Sequence, residues 1–100
     1  MRLTETAEND LAQIWVYIAT EASENTATQF LARIERTISR LRQTPMIGAS
    51  REMLGPQLRV VFHPPYAIYY VPDQTEVVIV RVLHGARDLS AISDQGGLVP

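Results

Sequence analysis

Ala27, Phe30, Leu31, Ile34, Ile38 and Leu41 follow one another at intervals of three, one, three, four and three residues. That spacing keeps them on one stripe of a helix for about four turns. A stripe so sharply apolar cannot remain in water, so the rest of the chain must supply a surface to cover it. Pro45 is the expected stop, because its ring disfavours the helical conformation at the residue before it.

An earlier segment has the same period, with Ala7, Leu11, Ile14, Trp15 and Ile18 on one face. Thr4 is placed to accept a hydrogen bond from the first-turn amides, and Glu5 and Glu8 complement the positive end of the helix dipole. Residues 20–25 are a polar connector, which makes the two helices an antiparallel hairpin. Both helices carry a second feature on the outside. Val16 stands with Ala12 and Ala19 in a small apolar stripe that a solvated helix has little use for and a partner helix would use. Arg33, Arg36 and Arg40, at i, i+3 and i+7, make either a solvated basic face or a contact for an acidic partner.

The covering surface comes after a loop at residues 46–50, where β-branched and aromatic residues take over. Three strands are expected at residues 58–63, 66–71 and 76–83, joined by hairpins at Pro64-Pro65 and at residues 72–75. The last is apolar on both faces and should be central in the sheet. Alternation sends Tyr69 to the face opposite Tyr66 and Tyr70, with one ring expected to be exposed. Leu3 and Thr4 end a further short strand. The expected fold is α+β: a short N-terminal strand and a helical hairpin packed on a small, mainly antiparallel sheet, in the order β-α-α-β-β-β. Residues 1–92 form one domain, and residues 93–100 a loose tail.

Composition narrows the function. An apolar fraction of 46% and a net charge of −2 over 100 residues describe one ordinary globular domain. With no cysteine there are no disulfides or thiolate metal sites, and two histidines 21 residues apart, His63 and His84, do not make a zinc site. No metal or cofactor is expected. No apolar run reaches the roughly 20 residues of a membrane span, and a signal-peptide pattern is missing, so a cytoplasmic protein is expected. All nine basic residues are arginine; that reflects either genomic base composition or a use for rigid bidentate forks. Net acidity weighs against a protein that lives by clamping nucleic acid.

Several pieces of the sequence together resemble a known family. They are Ala7-Glu8-Asn9-Asp10-Leu11 with Tyr17-Ile18-Ala19, Ala27 with Phe30 and Ile34, and Leu41 with Pro45 and Gly48. Arg51 with Leu54, Leu58-Arg59, and Tyr66 with Ile68-Tyr69-Tyr70 follow. The most specific piece is Arg81-Val82-Leu83-His84-Gly85-Ala86-Arg87-Asp88. Together they resemble the ParE/RelE toxin superfamily of type II toxin–antitoxin systems, closest to ParE. The resemblance implies a non-enzymatic toxin that inhibits DNA gyrase, blocks replication and is neutralised by a ParD-like antitoxin. It implies no direct nucleic-acid binding outside the antitoxin complex. The alternative is a RelE-like, ribosome-dependent mRNA endonuclease. Cleavage through a 2′-hydroxyl needs a base, an acid and cations for the developing charge. Here the position after Tyr66, basic in such nucleases, is Ala67; no tyrosine follows Tyr70, and lysine is missing.

No catalytic residue is assigned. The candidates for target binding are Arg59, Arg81, His84 and Arg87, and those for antitoxin binding are Ala12, Val16, Ala19, Arg33, Arg36 and Arg40. Arg81 interrupts an apolar strand, so it either meets an acidic residue inside the protein or faces a site. Arg59 and Arg81 form one patch only if the strand register brings them together. Arg87 and Asp88 either pair or cap a short helical turn at residues 88–92. His63 is expected to be a turn residue only.

Overall fold

The computed structural model describes residues 2–85. Its elements run β1 (Arg2–Leu3), α1 (Glu5–Glu21), α2 (Glu24–Arg40), β2 (Ala49–Ser50), β3 (Arg59–His63), β4 (Tyr66–Pro72) and β5 (Val77–His84). The expected tail, the Asp88 turn and Arg87 lie outside the described residues.

α1 begins at the cap the sequence predicts, and α2 begins on a hydroxyl cap of its own inside the expected connector. Thr4 Oγ1 accepts from the Ala7 amide at 3.0 Å and donates to the Val80 carbonyl at 2.9 Å, so the cap also ties α1 to the sheet. Ser23 Oγ caps α2 through the Thr26 amide at 3.0 Å. The helices are longer than the polar connector suggested, leaving only Ala22 and Ser23 between them. The end of α2 differs from expectation as well. It closes at Arg40, before Pro45 can act: Leu41 N bonds back to the Ile38 carbonyl and Arg42 N to that of Ser39, tightening the last turn. The Pro45 carbonyl has another task, accepting the Tyr70 hydroxyl at 2.7 Å, while that hydroxyl accepts from Gly48 N at 2.9 Å. A Cβ at Gly48 would stand 2.6 Å from the Tyr70 oxygen and 2.7 Å from the Val60 carbonyl, so only glycine fits this closure.

Among the described residues the sheet has five strands in the order β1-β5-β4-β3-β2; β1 runs parallel to β5 and the remaining pairs are antiparallel. β2 falls where the sequence read as loop. Ala49 and Ser50 pair with Val60 and Arg59, and a pairing of two residues leaves no alternation to detect. β5 is interior but not central as expected, and among the described residues β1 flanks it only at Val78 and Ile79. β4 is the true centre.

One irregularity shapes the site. Pairing between β4 and β5 steps from Tyr69↔Arg81 to Tyr70↔Ile79, leaving Val80 as an extra residue. Ile79 and Val82, three apart, therefore join the same cluster on the helix side, with Tyr66, Ile68 and Tyr70 and with Leu11, Ile14, Ile34 and Ile38 above them. Val80 and Leu83 join the cluster on the other face with Leu58, Val60, Ala67 and Tyr69, against which Leu54 packs. Tyr69 does lie opposite Tyr66 and Tyr70, but it is 3% exposed and is not the free ring expected. The sheet buries apolar side chains on both faces, so neither face leaves a tyrosine in water.

Candidate partner-binding surface

β5 delivers His84 to the end of the sheet at the β3–β4 turn. His84 is exposed, and its ring meets the buried Tyr66 edge-on, with centroids 5.7 Å apart. Tyr66 in turn meets Phe30 of α2 at 5.7 Å, and Phe30 meets His63 at 5.4 Å. The Arg33 guanidinium lies over Phe30, 5.6 Å from its centroid. This row of rings spans the sheet end. Burial first, and Tyr17 second, push the Tyr66 hydroxyl above the ordinary tyrosine value. Burial first, and Arg33 second, hold His63 below 6.5. His63 is more than a turn residue: its Nδ1 lies 3.1 Å from Thr37 Oγ1, fastening α2 to the end of β3.

Beside the rings is a cleft of about 450 Å³ between α1 and the end of β5. Asp10, Gln13, Ile14 and Tyr17 line it from the helix, and Pro65, Tyr66, Val82, Leu83 and His84 from the sheet. A shallower depression, bounded by Ala12, Gln13, Val16 and Tyr17, adjoins it. Gln13 and Tyr17 belong to both, so the outer face of α1 and the His84 cleft form one continuous surface. Val16 and Tyr17 are 58% and 61% exposed, Ala12 is exposed and Ala19 is half-buried. Arg33, Arg36 and Arg40 are exposed on α2.

The candidate arginines part company. Arg59 pairs with Tyr70 near the far end of β3, away from His63, Tyr66 and His84. Its Nη1 donates to the carbonyls of Met46 at 3.2 Å and Gly48 at 2.6 Å, clasping the loop before β2. Arg81 turns to α1. Its Nε and Nη2 donate to the two oxygens of Asp10 at 2.8 and 3.0 Å, and the Val82 amide adds a third bond at 3.0 Å. Arg59 and Arg81 therefore make no common patch. Of the two fates the sequence left open for Arg81, it meets an internal acid.

Sequence reasoning missed Asp10 and gave Tyr17 too little weight. Asp10 is 7% exposed on the buried face of an amphipathic helix, and a carboxylate there was the available signal. Tyr17, seven residues on, lies on the same side of α1. Neither helix is long and apolar enough to cross a membrane. Among the described residues, no three of His, Asp and Glu come together as a metal site. Around His84 the described residues gather aromatic rings, an amide and apolar side chains, which suits the docking of a protein surface.

The chain is similar to known proteins in sequence and in fold. The family model for the ParE toxin of the type II toxin–antitoxin system parDE matches residues 1–89. Toxin ParE3 of Caulobacter vibrioides is 31% identical over 88 residues, covering 88% of each chain. A solved structure of a chromosomal ParDE toxin–antitoxin system from P. aeruginosa shares the fold, with a TM-score of 0.73 at 21% identity over 83% of this chain and 91% of that one. By the reach of the family match and the identity to a curated toxin across nearly the whole length, this chain belongs to the ParE toxin family of type II toxin–antitoxin systems.

Proposed function

We propose that the protein is a cytoplasmic toxin that inhibits DNA gyrase by binding, without catalysis, and that a ParD-like antitoxin neutralises it. The observation that carries this reading is the continuous surface from Ala12 and Val16 through Tyr17 to His84, exposed on a member of a toxin family. An amphipathic segment of the antitoxin lays its apolar residues on Ala12, Val16 and Ala19, and its acidic residues meet Arg33, Arg36 and Arg40. His84 contacts the target, and Arg87, three residues later in the sequence, is a second candidate contact. Arg81, held by Asp10, stabilises the fold beside the His84 contact, while Arg59 fastens the loop before β2 at the other end of β3. Their commitment to carbonyls and to Asp10 supports binding over phosphodiester cleavage, which would need cations aimed at the developing charge.

Purified chain is tested in a gyrase supercoiling assay beside a ribosome-dependent mRNA cleavage assay, as parent, His84→Gln and His84→Ala. A contact residue keeps much of its inhibition as glutamine, whereas a general acid or base loses all of it, because glutamine cannot transfer the proton. Message cleavage by the parent, lost in both variants, with gyrase untouched, would overturn the proposal in favour of a RelE-like nuclease.

A further inference from the structure

We infer that Asp10 is a positioning residue: its buried carboxylate, bonded to Arg81 and to the Val82 amide, sets the course of β5 beyond its bulge and thereby places His84. The inference rests on the proposed toxic role of the His84 surface. Among the described residues, β5 has a strand beside it on only one side past the bulge at Val80, because β1 pairs with Val78 and Ile79 alone. The Gly85 amide reaches back to the Pro65 carbonyl at 2.9 Å, so odd-numbered residues of this segment bond to β4. Val82, even-numbered, aims its amide away from β4 and into the interior beneath α1, where the Asp10 carboxylate receives it. The same carboxylate takes both prongs of Arg81, the residue next to the extra one.

A carboxylate in this position is costly to bury, and an apolar side chain would serve a helix face as well for stability. What the three bonds add is geometric. A slip of one residue in β5 would carry both the Arg81 fork and the Val82 amide away from Asp10, so the carboxylate selects one register at the bulge. His84 lies two residues past Val82, and Asp10 lines the same cleft as His84 and Tyr17. Because α1 also bears the Val16 stripe, Asp10 joins the two halves of the continuous surface into one rigid unit.

Asp10→Asn tests this, since an amide oxygen can still accept from Val82 N while the charge that holds Arg81 is gone. Arg81→Lys is the second variant, keeping the charge and losing the fork. Three readouts are taken: amide hydrogen exchange at Val82 and Gly85, the two amides past the bulge whose acceptors are Asp10 and Pro65, the concentration for half-inhibition of gyrase, and the Kd for the antitoxin's C-terminal peptide. Ile38→Val, a core change outside the lining of the cleft, supplies the behaviour of a merely destabilised protein. The expected result for both variants is exchange at Val82 and Gly85 faster by about tenfold or more and gyrase inhibition weaker by a similar factor, with peptide Kd held within about threefold. Unchanged exchange at Val82 and Gly85, or inhibition and peptide affinity declining together as in Ile38→Val, overturns the inference. A parent chain that leaves gyrase untouched refutes the functional proposal separately, and exchange alone then decides whether Asp10 positions the strand.

Discussion

α1 and α2 are both 17 residues long, both start on a hydroxyl cap and lie side by side on one sheet, yet they distribute polarity in opposite ways. α2 follows the rule for a surface helix, with Ile34 and Ile38 buried and Arg33, Arg36 and Arg40 in water. α1 breaks the rule twice. It buries a carboxylate, Asp10, and exposes Val16 and Tyr17. A helix that only stabilises has no need of either departure, and function is expected where local rules fail. In the proposed function, α1 carries the apolar part of the docking surface, while α2 combines the scaffold stripe with the outward arginines.

The sharpest way to test that division is to damage each helix where it is most itself. Ile34→Ala deletes fully buried volume between α2 and the sheet and should cost about 2–5 kcal/mol in a urea or thermal melt. A melting point within a degree or two of the parent would deny α2 its scaffold role.

Val16→Asp is the converse experiment on α1. Stability should change by less than about 0.5 kcal/mol, because Val16 already faces water. Antitoxin affinity should weaken by about 1–3 kcal/mol in calorimetry, since the new charge is desolvated only in the complex. An unchanged Kd would remove the stripe from the interface and make α1 no different from α2.

The smallest effect lies where α2 touches β3. His63 titrates below its ordinary 6.5 in the folded chain, from burial foremost and then from Arg33. The unfolded chain therefore binds the proton first as pH falls. The stability that neutral His63 contributes is complete above about pH 6.5 and is lost between 6.5 and its lower folded value. His63→Gln should flatten that part of the stability-against-pH curve. The same slope in parent and variant would assign the titration to another group.

Periodicity made most of the fold legible. The stripe from Ala27 to Leu41, the cap at Thr4, and the alternation of the tyrosines in β4 are local patterns, each enforced by contacts along one element. The same logic flagged Val16, because an apolar residue on the outside of a helix is visible on a wheel. It could not supply β2, whose two residues carry no pattern, or the end of α2, which a tightened turn decides before Pro45 is reached. Nor could it sort the arginines. Arg59 and Arg81 look alike in sequence, each set among apolar strand residues, and both were candidates for the target surface.

What the sequence by itself determined is the set of elements, their apolar faces and the α+β class, since helix and strand periods are written residue by residue. What only the tertiary structure decided is the bulge at Val80 and the partners it creates. Asp10 and Arg81 are 71 residues apart, and their meeting depends on the register between β4 and β5 and on where α1 crosses the sheet. Register is a property of two strands at once, settled by packing on both faces of the sheet, and no period within one strand can specify it.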